Sequence, residues 1–260
     1  MLGRDITFIA NYILDNWVPP ILRDCKWFMR PIIRIAYGSC TDAVMAFKDK
    51  FPFMDESELS AYYELIKDSP INRRESDLNK KCLNYLLENV LGCNASSVLD
   101  VACGGGGLLK KIKEKYPGIY CHGSDIVLPD TDIPMTQASL SEALPFESSS
   151  FDIVLCTHAL EHIRSPKKAI AELIRIAKKR IILVVPQQRE YKYTPDLHVH
   201  FLPYMYSFKA FIGIKEAQYL KLKGDFVCVI DKSGVNNCYR DNSIQEREKE
   251  EKKKKLSTGR

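Results

Sequence analysis

Long apolar runs are missing from this chain of 260 residues. The longest uncharged stretch near its start, 6–14, falls well short of the ~20 apolar residues a membrane-spanning helix needs. A cysteine framework is missing too. Nine cysteines, at 25, 40, 82, 93, 103, 121, 156, 228 and 238, include no Cys-x-x-Cys pair, which argues against a zinc ribbon or a thioredoxin-like motif. An odd count in a chain of this size also argues against a disulfide scaffold, so a reducing compartment is expected. Charge of one sign is scarce. Lys and Arg number 38 and Asp and Glu 33, leaving +5. The segment 241–260 has 7 basic and 5 acidic residues and so holds +2 of this. The +3 left for the body argues against nucleic acid as the main partner. Internal repeats are absent, and 45% hydrophobic with 27% charged residues is an ordinary globular balance.

Four zones are visible. Residues 1–53 are rich in Ile, Trp, Phe, Pro and Arg; 54–94 are polar with a helical pattern; 95–232 alternate short apolar runs with amphipathic stretches; 233–260 are polar and contain the charge run 246–255. The expected organisation is an N-terminal helical cap or lid over 1–94, a binding domain over 95–232, and a disordered tail over 233–260. No secretory signal is read at the N-terminus, and a cytoplasmic location is expected.

Strand signals in the third zone fall at 97–101, 119–124, 151–157 and 180–185, with helical patterns at 108–115 and 165–178 between them. Strands alternating with helices of this length imply crossover units and a parallel sheet. The runs 219–222 and 226–231, around Gly224, read as a hairpin at one sheet edge.

The densest chemistry is Val98-Leu-Asp-Val-Ala-Cys-Gly-Gly-Gly-Gly107, which holds four of the 13 glycines. It follows a strand and opens a helix, the context a nucleotide-binding loop requires. Asp100 precedes the loop. A carboxylate there repels a pyrophosphate and suits a ligand bearing an ammonium or hydroxyls. Asp125 ends the second strand, 21 residues after Gly104, the placement of an acid that accepts from ribose hydroxyls; a turn-capping Asp is the plainer alternative. A third element is Leu144-Pro-Phe…Phe151-Asp…Leu160-Glu-His162.

Together these residues resemble the class I S-adenosylmethionine-dependent methyltransferases, and within them the small-molecule branch that includes the ubiquinone-biosynthesis methyltransferases. The likeness covers roughly 95–190, and 191–232 more loosely. Ala102 stands where the family motif has its first glycine. The resemblance implies an α/β Rossmann-like methyltransferase fold: a seven-stranded, mostly parallel sheet with helices on both faces and an antiparallel last strand. It implies S-adenosyl-L-methionine as cofactor, bound by Asp100, Ala102, Gly104, Gly106, Asp125, Ile126, Ser139 and Cys156. Relatives place Asp or Asn before Leu-Pro-Phe to meet the adenine; 137–142 offers none, so Ser139, Ser141 or a backbone group takes that role. Catalytic candidates are His158, just past the 151–157 strand, and His198 and His200, which share a face if their segment is extended. His162 reads as a residue that caps or packs its helix. Further ligands for a metal beside His198 and His200 cannot be placed, and no metal is expected.

The implied activity is methyl transfer to an oxygen or nitrogen of a small-molecule, glycan or lipid-linked acceptor. The alternative is a catalytically inactive cofactor-binding module that recruits a protein or membrane. A nicotinamide dehydrogenase is disfavoured by Asp100 and the 151–162 pattern. The stretch 1–35 carries Trp17 and Trp27 among basic and apolar residues. It reads first as a lid packed on the domain, with a dimer contact or peripheral membrane contact as alternatives. The segment Tyr62–Leu87, with Arg73, Arg74, Glu75 and Asp77, resembles the helical entry that precedes the first motif in relatives and is read as closing over the cofactor carboxylate.

Overall fold

The computed structural model describes residues 4–71, 77–90 and 95–232. The expectations placed on Arg73, Arg74 and Glu75 and on the polar tail 233–260 lie outside the described residues. The chain begins with five helices: α1 (Arg4–Asn16), α2 (Pro20–Arg23), α3 (Lys26–Tyr37), α4 (Thr41–Lys50) and α5 (Glu56–Ile66). Asp55 caps α5 in a reciprocal box, accepting from the Glu58 N–H while the Glu58 carboxylate accepts from the Asp55 N–H, so two otherwise orphan donors are satisfied. A further helix, α6 (Lys80–Tyr85), leads to β1 (Ser97–Val101). Then follow α7 (Gly107–Lys115), β2 (Tyr120–Asp125), β3 (Met135–Gln137), β4 (Phe151–Thr157), α8 (Pro166–Ile176), β5 (Ala177–Pro186), α9 (Met205–Ile212), β6 (Gln218–Leu222) and β7 (Asp225–Asp231).

The seven strands form one sheet in the order β3-β2-β1-β4-β5-β7-β6. Pairings from β3 through to β5 are parallel, and β7 runs antiparallel to both β5 and β6. Successive side chains on a strand face opposite sides, and this divides the core. Val154, Ile181, Leu183 and Phe226 meet Leu173 of α8 and Phe208 of α9 on one face. Ile153, Leu155, Ile182 and Val227 meet Leu109 and Ile112 of α7 and Cys82 of α6 on the other. Covering both faces explains why the central strands read as near-continuous apolar runs.

Three features depart from the residue-level reading. β5 starts at Ala177, directly after α8, where a helix to 178 and a strand from 180 were expected. Ala177 pairs with Phe151, and Lys179 reaches back to the Asp152 carboxylate at 3.1 Å, so pairing with β4 overrides the helical pattern. β3 has only three residues and no apolar run; it is held by pairing of Gly123 with Met135 and by a 2.8 Å bond between His122 Nε2 and Thr136 Oγ1. The helix α9 lay in a segment with no helical assignment.

The first five helices gather a third cluster, with Met29 and Ile33 fully buried and Tyr191 and Leu197 joining from the segment after β5. Polar bonds stitch the same contact. The Tyr37 hydroxyl donates to the Pro195 carbonyl at 2.6 Å, Lys48 Nζ to the Tyr191 carbonyl at 2.6 Å, and Asn11 Nδ2 to Asp196 Oδ2 at 2.8 Å. The seven described cysteines are all unbridged. Among the described residues, no helix is long and apolar enough to cross a membrane.

Candidate functional site

A cleft of about 970 Å³ opens where β1, β2 and β4 end, the position at which open α/β sheets take ligands. Asp100, Gly104 and Asp125 line one end, and His158, His162 and His198 line another. The N-terminal helices complete its wall through Tyr12 of α1 and Leu59 and Tyr63 of α5.

At the first end the chain turns from β1 into α7 through left-handed backbone. Ala102, Gly104 and Gly106 have φ of 57°, 55° and 70°. Glycine adopts this region freely, whereas a residue with a Cβ is strained there by roughly 1–2 kcal/mol. The alanine in place of the motif's first glycine therefore carries strain. Ala102→Gly is expected to raise stability by about 0.5–1 kcal/mol, the relief being partly offset by the greater freedom of glycine in the unfolded chain; an unchanged or lower urea midpoint would contradict this.

Asp100 is buried, and its Oδ1 has no hydrogen-bond partner among the described residues. Burial, and then the neighbouring Asp125 charge, push its pKa up to about 8. Asp125 is tied to the loop it faces. Its Oδ2 accepts from the Gly104 N–H at 2.7 Å and its Oδ1 from the Val127 N–H at 3.2 Å. Both readings of Asp125 are thus visible at once: it caps the turn after β2, and it borders the cleft. Burial raises its pKa, while the Gly104 N–H bond opposes the rise. Ile126 lines the cleft beside it. Ser139 also lines it, but its hydroxyl donates to Glu56 Oε2 at 2.7 Å and so ties the cleft wall to the start of α5.

Two expected site residues lie elsewhere. Cys156 is fully buried in β4 and packs in the core on the α8 face; the pleat turns it away from the cleft, and burial raises its thiol pKa well above the ordinary value. His200 lies outside the cleft lining, with Nε2 donating to the Ile163 carbonyl at 2.8 Å. The segment 198–203 is not a strand, so His198 and His200 do not present a common face.

At the other end His158 follows β4 with φ of 54°, held by its N–H donating to the Val184 carbonyl at 2.8 Å. Strained backbone of this kind clusters at functional sites. Its ring spans two carboxylates, with Nδ1 3.6 Å from Glu161 Oε1 and Nε2 3.4 Å from Asp225 Oδ1. Glu161 is buried, and burial pushes its pKa up to about 7 against the opposing influence of His158. His162 and His198 stack edge-to-face at 4.7 Å. Burial pulls the His162 pKa down to about 4. The sequence reading assigns His162 only to capping or packing its helix, gives Glu161 no role beyond the Leu-Glu-His pattern, and does not single out Asp225 or Gln188. Their signal was faint: polar side chains at the ends of apolar strands.

Fold and cleft together have the architecture expected of a Rossmann-like methyltransferase fold. Comparison with known proteins agrees. Residues 99–185, about a third of the chain, match the family described as "Methyltransferase domain". It is 29% identical over 102 residues to ajmaline N-methyltransferase of Rauvolfia serpentina, covering 34% of this chain and 35% of that protein. It is 27% identical over 118 residues to ubiquinone biosynthesis O-methyltransferase of Aliivibrio fischeri (strain MJ11), covering 39% and 47%. The matches thus span about a third to a half of the length of these curated relatives. Among solved structures, 1,6-didemethyltoxoflavin-N1-methyltransferase of Burkholderia thailandensis superposes with a TM-score of 0.51 at 16% identity, over 69% of this chain and 87% of that one. That likeness bears on the fold.

Proposed function

We propose that this chain transfers the methyl group of S-adenosylmethionine to an oxygen or nitrogen atom of a small-molecule acceptor bound in the cleft. The observation that carries the reading is Asp100: a buried carboxylate with an unpartnered oxygen, facing the cleft beside a left-handed glycine loop. An uncompensated buried carboxylate is costly, and a ligand ammonium or hydroxyl would compensate it. Gly104 supports the fit, because a Cβ built there meets no protein atom within 4 Å, which leaves the loop's cleft side open to a ligand. When bound, the cofactor supplies a methyl group already activated by the sulfonium. The chain's task is then to hold the acceptor atom in line with it, which contributes up to ~7–11 kcal/mol for well-positioned reactants. His158, which lines the cleft, is the group this reading assigns to orient an acceptor hydroxyl or take its proton. The cap, residues 1–94 in this reading, closes the acceptor end, and a reducing, cytoplasmic location fits the unbridged cysteines. Calorimetric titration with S-adenosylmethionine and S-adenosylhomocysteine, followed by labelled-methyl transfer into a cell extract, tests the proposal; absence of saturable binding to the folded protein would overturn it.

Asp125→Ala is expected to weaken cofactor affinity about 10- to 150-fold, the equivalent of one charge-assisted hydrogen bond of ~1.5–3 kcal/mol. The same titration checks this, and an unchanged dissociation constant would leave Asp125 as a turn cap only.

A lipid-linked acceptor is favoured by one feature of the cap. Its inner face is packed, whereas Trp17, Ile21 and Trp27 remain 76%, 80% and 71% exposed beside Lys26 and Arg30. Exposed large apolar side chains close together in sequence are a candidate interaction surface, and aromatic side chains beside a basic one such as Lys26 suit an anionic lipid surface; Arg30 is paired with Asp42. The protein is expected to co-sediment with anionic vesicles, and Trp17→Ser with Trp27→Ser to reduce this at least ~10-fold by removing buried apolar area. Equal sedimentation of both proteins would remove the membrane from the proposal. Point substitutions serve better than truncation here, because Met29 and Ile33 are core residues.

A further inference from the structure

The pairing of Glu161 with its histidines is not an ordinary ion-pair network. Three imidazole nitrogens approach one carboxylate oxygen, Glu161 Oε1: His158 Nδ1 at 3.6 Å, His198 Nε2 at 3.7 Å and His162 Nε2 at 4.0 Å. None is within good hydrogen-bonding distance. Among the described residues, neither buried Glu161 oxygen has a hydrogen-bond partner, and leaving such a group unsatisfied costs about 1–3 kcal/mol or more.

The tautomer of His198 sharpens the point. Gln188 Nε2 donates to Asp196 Oδ2 at 3.1 Å and to the Tyr191 hydroxyl at 3.2 Å. Its amide oxygen therefore faces His198 Nδ1, with which it forms a short bond. An amide oxygen only accepts, so Nδ1 carries the proton. In the neutral ring Nε2 then presents a lone pair towards Glu161 Oε1. Two lone pairs facing each other in a buried site repel unless a cation or a proton lies between them.

We propose that Glu161, His162 and His198 bind a divalent cation of the zinc type at the acceptor end of the cleft. Their donor atoms lie within 4.8 Å of one another. Tetrahedral ligation with bonds of ~2.0–2.2 Å places donors roughly 3.4 Å apart, so the Glu161 separations of 3.7 and 4.0 Å close with shifts of a few tenths of an ångström, and the two imidazole donors, within 4.8 Å of each other, close by rotation of the rings. Two imidazoles and a carboxylate are a donor set this metal accepts, with the fourth position left for water or substrate. The Gln188–His198 bond is the outer-shell contact that ligating histidines commonly make. The chain builds the cluster deliberately: the Glu161 carbonyl accepts from the Val199 N–H at 2.9 Å and the His200 N–H at 3.0 Å, which brings His198 beside a residue 37 positions earlier. Asp225, 3.4 Å from His158 Nε2, adds negative charge nearby.

The cation's role rests on the methyl-transfer reading, although its binding does not. It would bind an acceptor oxygen and lower the pKa of its hydroxyl, which favours an acceptor whose reactive oxygen is a hydroxyl, over an amine.

The test uses the full chain and cobalt(II), a spectroscopic probe for such sites. Cobalt titration is expected to give saturable one-to-one binding with intense tetrahedral d–d bands, displaced by zinc. Glu161→Gln and His198→Gln should each weaken binding by more than the 10- to 100-fold typical of outer-shell changes. X-ray absorption on the cobalt-loaded wild type should show nitrogen and oxygen ligands alone; this needs no variant to fold. Absence of saturable binding, a thiolate charge-transfer band that puts the metal on a cysteine, or unchanged affinity in both variants overturns the site. Calorimetry with S-adenosylmethionine on the same sample separates the two readings: cobalt bound without cofactor binding keeps the metal site and removes the methyl-transfer role.

Discussion

Gly104→Val is expected to reduce cofactor affinity more than ~100-fold while the seven-stranded sheet still forms. Gly104 has φ of 55°, which a β-branched residue tolerates poorly. Its N–H also donates to Asp125 at 2.7 Å, so a shift of the loop loosens the second carboxylate. Yet a Cβ there meets no protein atom within 4 Å, so the valine projects into the cleft instead of into the fold. Several ligand contacts would be lost together, each worth ~1.5–3 kcal/mol where charged. Gly123 provides the contrast. A Cβ there would lie 2.4 Å from Met135 Sδ and 2.8 Å from Cys103 Sγ, so Gly123→Ala is expected to lower stability by displacing β3 and the loop. Circular dichroism and calorimetry on both variants check the pair. Normal cofactor binding by folded Gly104→Val would reduce the glycine loop to a structural turn.

Asp100→Asn is expected to stabilise the ligand-free protein increasingly as pH rises, and to weaken cofactor binding. The unfolded carboxylate ionises near 3.8 and the native one near about 8. Between those values the native state holds a proton that the unfolded chain has released, so the carboxylate's effect on wild-type stability becomes more unfavourable with rising pH at up to ~1.4 kcal/mol per unit. Asparagine cannot ionise and escapes this loss. Glu161, raised to about 7, and Asp15, raised to about 6, act in the same direction, but both remain in the variant, so the difference between the two proteins isolates Asp100. Urea unfolding of each at pH 5 and pH 8 is expected to show an advantage of a few kcal/mol for the variant, present at pH 8 and small at pH 5. Identical pH profiles would mean that the carboxylate is not held protonated. For the wild type at pH 7, a ligand ammonium paired with ionised Asp100 should release up to about one proton, read as a dependence of the binding heat on buffer ionisation.

Much of the cofactor end was legible in the residues because its determinants are local. The apolar runs at 151–157 and 97–101 have strand length and stop at glycine or polar residues. The loop from Asp100 to Gly107 carries its own backbone requirement, visible as consecutive glycines. Asp125 sits where its strand ends, and the hairpin around Gly224 joins two short runs. Ala102 was also legible as a departure, although only the structure shows that it takes φ of 57°. Two of the expected residues, Cys156 and His200, lie outside the cleft lining for different reasons. Cys156 lies on a strand buried on both faces, and apolar composition does not say which face a given side chain takes; the pleat sends it to the α8 layer. His200 was paired with His198 on the assumption of an extended segment, and that segment is irregular.

The sequence by itself determined the alternation of strands and helices, the glycine turn and the two carboxylates at its mouth, because each follows from periodicity or from backbone freedom within a dozen residues. Only the tertiary structure decided what meets across the cleft. β3 exists because Gly123 admits Met135. His198 reaches Glu161 because two backbone N–H groups of its segment bond the Glu161 carbonyl. The N-terminal helices reach the segment after β5 through Tyr37, Lys48 and Asn11. These contacts join residues far apart in the chain, and their geometry is set by the packing of the whole core, which no local pattern encodes.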